Sequence, residues 1–145
     1  MAQEVGQVDD PTYRLRPVGW VESSLTDRDA APMQGDEGAP PARIVFRPEF
    51  REAAGDLRRG DEVILLTWLH QGSRDVLSVH PRSDVNRPLT GVFSTRSPDR
   101  PNPIGLHAVR IEAVEEDAIS VSGLEAIHDT PVLDIKPRLG RVHER

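Results

Sequence analysis

Apolar and polar residues alternate with a period of two along much of the chain, the pattern of strands with one buried face. In Leu106–Val114, Val109, Ile111 and Ala113 fall on one side and Arg110 and Glu112 on the other. Ala118–Gly123 repeats this with Ile119 and Val121 against Ser120 and Ser122, and the acidic stretch Glu115–Asp117 between them predicts a hairpin turn. Further strands are predicted in Leu15–Ser23 around Val18, Trp20 and Val21, in Arg43–Phe46, in Val76–His80, and in Val132–Ile135 between Pro131 and Pro137. Glu62–His70 contains the unbroken run Val63, Ile64, Leu65, Leu66, which predicts a strand buried on both faces. Only Glu49–Leu57 has helical spacing, with Phe50, Ala53, Ala54 and Leu57 on one side, Pro48 in its first turn and Gly60-Asp61 as its stop. Asp27–Pro41, rich in proline, glycine and acids, reads as a long surface loop. Six or seven short strands, one helix and no βαβ alternation predict a mainly β antiparallel barrel or sandwich.

Composition narrows the chemistry. A chain of 145 residues suits one domain. With no cysteine there are no disulfides, thiolate metal sites or cysteine nucleophiles. The longest apolar run, Val63–Leu66, is far too short to span a bilayer, and the acidic start of the chain lacks the basic flank of a signal peptide, so a soluble cytosolic domain is expected. No G-x-G occurs, which removes the usual glycine fingerprint of a Rossmann nucleotide site, and no G-x-S-x-G or P-loop is present. His80 and His107 have no partners at metal-ligand spacing, so no metal is expected.

Charge is unevenly spread. The net charge of -6 argues against a global polyanion binder, yet residues 81–110 hold five arginines and two acids, whereas residues 1–42 hold eight acids and three bases. In Gly91–Leu106, three prolines (Pro98, Pro101, Pro103) stiffen a segment that presents Arg96, Ser97, Arg100 and Asn102. Two readings fit: a preorganised anion cradle, or a rigid connection whose arginines face water. Near the C-terminus, Asp134 and Lys136 lie two apart, so on a strand they share a face. They read either as a solvated ion pair or as the wall of a polar pocket. His70 and Gln71 close the apolar strand, where a barrel rim would lie.

These two constellations together resemble the TsaA-like family, the TrmO type of tRNA adenosine methyltransferase. The matching residues are Gly91-Val92-Phe93-Ser94-Thr95-Arg96-Ser97-Pro98, Arg100-Pro101-Asn102-Pro103-Ile104-Gly105-Leu106, and Thr130-Pro131-Val132-Leu133-Asp134-Ile135-Lys136-Pro137. The resemblance implies a small antiparallel β-barrel with one or two short helices, a non-Rossmann methyltransferase fold. It places that domain at residues 14–138, between a flexible N-terminal segment, 1–13, and a tail, 139–145. It also implies S-adenosylmethionine as cofactor and a homodimer. The cofactor would touch Gln34, Gly35, His70, Gln71, Arg96, Leu106, Glu125, Ala126, Ile127 and His128. Asp134 and Lys136 would be catalytic, with Arg100, Asn102 and Arg138 toward the substrate. The reaction implied is methylation of the exocyclic amine of threonylcarbamoyl-adenosine in tRNA.

The chain departs from the family pattern at three places. Pro32-Met33-Gln34 stands for the usual PRQ, and His128-Asp129-Thr130 stands for DGT, replacing a glycine of the kind that serves a backbone position with φ > 0. Arg138 replaces a tyrosine. With the acidic net charge, these departures keep two alternatives open: a related methyltransferase acting on a small molecule, and a non-catalytic nucleotide-binding barrel.

Overall fold

The computed structural model describes residues 10–28, 31–32 and 38–139. Its strands are β1 (Gly19–Glu22), β2 (Ala42–Phe46), β3 (Glu62–Trp68), β4 (Ser78–Val79), β5 (Thr90–Gly91), β6 (Ile104–Val114), β7 (Ala118–Val121) and β8 (Pro131–Pro137). Six of them close into an antiparallel barrel in the order β1-β2-β7-β6-β3-β8, while β4 and β5 form a separate ribbon within the long β3–β6 connection. The predicted mainly β barrel is therefore what this chain forms. The Glu115–Asp117 hairpin is also present, closed by a bond from the Glu115 amide to the Ala118 carbonyl at 2.8 Å.

Inward-facing residues at alternate positions fill the barrel. Val21, Ile44, Leu65, Ile111, Ile119, Val121, Leu124 and Val132 are buried. Each such aliphatic side chain contributes about 1.5–3 kcal/mol when fully removed from water. Outside the barrel, Arg43 on β2 reaches Glu22 at 2.6 Å and Glu115 at 2.8 Å, tying β1 and the β6–β7 turn to one guanidinium. Hydrogen bonds to Glu115 and then Glu22 push the Arg43 pKa further above its already high ordinary value.

Three expectations change. The run Val63–Leu66 is not buried on both faces: Val63 and Leu65 are interior, but Ile64 and Leu66 lie on the outer wall and are only half-buried. In the antiparallel barrel no second layer covers that wall. Ala113 does not share the inward face of Val109 and Ile111, because the β6–β7 register shifts between Ile111 and Ala113 and turns Ala113 outward. The predicted helix is a 3₁₀ helix over Pro48–Ala54. Arg47 offers no side-chain cap, and the chain leaves the helix at Gly55, so too few residues remain to offset α-helix nucleation.

The seam between β1 and β8 is short, registered only at Gly19↔Val132 and Trp20↔Pro131. Past it, β8 stands apart from β1. The space left, a groove of about 690 Å³, is lined by Val18, Phe46, Phe50, Leu57, Ile135 and Leu139 among others. No helix among the described residues is long and apolar enough to cross a membrane.

Candidate functional site

Strand directions sort the connections onto two rims. The β1–β2, β3–β6 and β7–β8 connections all leave from one rim, whereas β2–β3, the β6–β7 turn and the exit of β8 lie at the other. The first rim thus gathers three distant stretches that the sequence singled out: the loop carrying Gln34 and Gly35, the segments His70-Gln71 and Arg96–Asn102, and Glu125–His128. Gln34 and Gly35 themselves lie outside the described residues.

Three arginines stiffen this rim from inside. The Arg28 Nη2 group lies 2.7 Å from both oxygens of Asp99, and Nη1 donates to the Gln71 carbonyl at 2.8 Å. Asp99 Oδ1 also accepts the Ser73 amide at 2.8 Å. One carboxylate therefore staples the β1–β2 loop, the segment after β3 and the proline-rich hook. A Cβ on Gly72 would strike the Pro98 carbonyl, so a glycine is needed where these two segments meet. Arg100 folds back into its own loop and donates to the carbonyls of Val92, Thr95 and Ser97. Arg74 donates to the Pro101 carbonyl at 2.7 Å and to Asn102 Oδ1 at 2.9 Å, and lies over the Trp68 ring.

The arginines of the hook thus separate into two kinds. Arg100 Nε and Nη2 are taken up by backbone carbonyls, and Asn102 Oδ1 accepts from Arg74. Arg96 is exposed and has no partner among the described residues. Asp99 and Arg28, which hold the hook in place, had no signal in the sequence because they lie 71 residues apart.

On the β7–β8 connection, Ala126 and Ile127 are buried, and Glu125 and His128 are partly exposed. The Ala126 backbone makes no hydrogen bond to another described residue. His128 Nδ1 accepts the Ser23 amide at 3.2 Å, which leaves Nε2 carrying the proton, 3.4 Å from Asp129 Oδ1. Asp129 adopts φ 70, so the position where the family carries glycine does take the left-handed conformation. Asp129→Gly is therefore expected to raise stability by about 1 kcal/mol, the strain of a non-glycine residue there, read as an increase in Tm. An unchanged or lowered Tm would show that the Asp129 side chain already offsets that strain.

The remaining residues sit elsewhere on the barrel. Asp134 and Lys136 face outward from β8, both more than half exposed, with Lys136 Nζ 3.6 Å from Asp134 Oδ2. Asp134 pairs with Leu66 on β3, which pairs with Leu106 on β6, so Asp134 and Leu106 share one outer wall. His70 and Gln71 are exposed at the rim. Arg138 is at the opposite rim, 3.6 Å from Glu62, and is not brought near the others. Among the described residues no group of three or more His, Cys, Asp or Glu converges as a metal site.

Comparison with known proteins bears on what this rim is. Residues 20–143 match the tRNA-methyltransferase O N-terminal domain. The chain belongs to that family. A probable S-adenosyl-L-methionine-binding protein of Methanocaldococcus jannaschii is 46% identical over 128 residues, spanning 86% of this chain and 90% of the relative. A second such protein, from Methanothermobacter thermautotrophicus, is 42% identical over 130 residues, 90% of this chain and 93% of the relative. The crystal structure of TrmO from Pseudomonas aeruginosa superposes with a TM-score of 0.72 at 31% identity. That match covers 96% of this chain but 62% of the longer TrmO chain.

The rim's donor set fits the cofactor implied by this family. The Arg96 guanidinium, without a partner among the described residues, suits an amino-acid carboxylate, and the Ala126 backbone, bonded to no other described residue, suits the donor-and-acceptor edge of an adenine. The Glu125 carboxylate suits a hydroxyl or a cation.

Proposed function

We propose that this protein is an S-adenosylmethionine-dependent methyltransferase whose donor lies across the rim formed by the β1–β2, β3–β6 and β7–β8 connections. The observation carrying this is the Arg28–Asp99 staple, which ties the β1–β2 loop to both ends of the β3–β6 connection. The His128 amide donates to the Leu25 carbonyl at 2.7 Å and ties in the β7–β8 connection. Arg96 beside them has no partner among the described residues. Arg96 would hold the donor's carboxylate, Glu125 through His128 its adenosine, and His70, Gln71 and Leu106 its flanks, with Gln34 and Gly35 from the β1–β2 loop.

When bound, the donor supplies a methyl group on a sulfonium for in-line transfer to an amine. The protein's part is to position and to keep the site dry, since a fixed near-attack geometry alone supplies about 7–11 kcal/mol of a barrier. Asp134 would take the amine proton, and Lys136, 3.6 Å away, would orient that carboxylate. Both face an open outer wall. We therefore assign a homodimer in which a second copy covers this wall, where Ile104 and Leu106 stand exposed without a covering layer. The acceptor assigned is the exocyclic amine of threonylcarbamoyl-adenosine in tRNA, in the cytoplasm. A small-molecule acceptor is the second reading, favoured by the net charge of -6 and by the withdrawal of Arg100 and Asn102 into the loop's own bonds.

Thermal denaturation with millimolar S-adenosylmethionine, together with light scattering of the same sample, tests the core of this. A ligand at 100 times its Kd stabilises by about 2.7 kcal/mol, so a clear rise in Tm and the mass of a dimer are expected. No shift in Tm would reject the donor assignment, and a monomeric mass would reject the shared site.

A further inference from the structure

Beneath the rim, a buried imidazole connects the barrel interior to Glu125, and neither the fold nor the donor assignment accounts for it. His107 points inward from β6, where aliphatic residues would otherwise be expected, and is almost wholly buried. Its Nε2 lies 2.7 Å from the hydroxyl of Thr67, a buried residue on neighbouring β3. Gly105, paired with Thr67, makes the room: a Cβ there would sit 2.6 Å from His107 Nε2 and would strike the Thr67 hydroxyl. On its other side, His107 Nδ1 lies 3.0 Å from Glu125 Oε2, within ion-pair distance but off the line of a hydrogen bond. Nδ1 has no other partner. A buried ring nitrogen beside a carboxylate, with its own bond not yet aligned, is completed by a small rotation of that carboxylate.

We propose that His107 is a positioning residue for Glu125, held as the Nδ1–H tautomer by the Glu125 carboxylate, so that one Glu125 oxygen is anchored and the other is presented to the donor's ribose. In a neutral imidazole one nitrogen donates and the other accepts. A carboxylate only accepts, so the proton sits on Nδ1 for Glu125 Oε2, and the Thr67 hydroxyl, which can donate or accept, then donates to Nε2. Glu125 is partly exposed at the rim, so its second oxygen is turned toward ligand. Ribose is the group assigned because the unbonded backbone that suits an adenine edge belongs to the next residue, Ala126, and a sugar adjoins its base. A carboxylate with a free oxygen accepts from a ribose hydroxyl, and anchoring its other oxygen removes the freedom that binding would otherwise have to freeze. The ribose assignment rests on the donor reading above, whereas the tautomer does not.

Two measurements test this. Nitrogen-15 NMR of the ligand-free protein should show His107 protonated at Nδ1, and Glu125→Ala, which removes the accepting carboxylate, should abolish that preference. In calorimetry, His107→Phe and Glu125→Gln should each weaken S-adenosylhomocysteine about tenfold, the scale of one charge-assisted hydrogen bond, and the double variant should be no weaker than Glu125→Gln alone. Wild type should discriminate about tenfold against the 2′-deoxy form of this ligand, and His107→Phe should not. An Nε2–H tautomer in the wild type overturns the proposal, as does a folded His107→Phe protein with unchanged affinity and discrimination. A wild type that binds no S-adenosyl compound removes the donor reading and the ribose assignment with it, while the NMR result still decides the tautomer. If His107→Phe does not fold, the spectra of wild type and Glu125→Ala decide alone.

Discussion

Asp134→Asn is expected to lower turnover on threonylcarbamoyl-adenosine tRNA by about 100- to 10,000-fold, the range for losing a general base, while leaving the donor's Kd unchanged. The asymmetry follows from placement. Asp134 lies on the outer wall of β8, paired across β3 through Leu66, and contributes nothing to the three-loop rim. Asparagine keeps the size and one acceptor oxygen, including the one that takes the Ile135 amide at 2.9 Å, but cannot hold a proton. Stability should not move, because the Lys136–Asp134 pair is solvated and such pairs contribute about 0–1 kcal/mol. Single-turnover kinetics beside donor calorimetry separates the two effects. Full activity in the variant would remove Asp134 from the chemistry, and weakened donor binding would place it at the cofactor instead.

Arg100→Ala is the second large effect. The guanidinium holds the carbonyls of Val92, Thr95 and Ser97 in one ring, and no other side chain takes its place among the described residues. Bonds to a charged group contribute about 1.5–3 kcal/mol each, but these share one donor group and are not additive, so a loss of about 3 kcal/mol is expected. The loss falls on the loop and not on the barrel core, which it does not touch. Donor affinity should then fall about 100-fold through disorder around Arg96, and cleavage by a protease within residues 92–100 should accelerate. Lysine should not rescue it, because a single ammonium lacks the planar fork that reaches three acceptors. Unchanged affinity with accelerated cleavage would mean that the hook's order is irrelevant to the donor.

Those two arginines illustrate what the sequence could and could not disclose. Arg96 and Arg100 are equivalent in spacing and composition, and only the fold shows that one is spent on carbonyls and the other has no partner among the described residues. The strands themselves were legible, since a period of two survives in any barrel wall. Faces were legible only where the register is regular: the bulge after Ile111 moved Ala113 outward, and the uncovered wall left Ile64 and Leu66 half-buried. The left-handed position at Asp129 was also legible, because a missing glycine marks a backbone demand. Strand order was not. Pairing of β2 with β7, the Arg28–Asp99 staple and the Thr67–His107 contact all join residues far apart in the chain, and local pattern carries no record of such meetings.

Ring closure here joins the beginning of the domain to its end, since Gly19 meets Val132. The last strand, β8, lies between β1 and β3, the two strands whose free edges it covers. A chain emerging from the ribosome therefore carries these two bare edges until Pro131–Pro137 arrives as the stave that completes the cylinder.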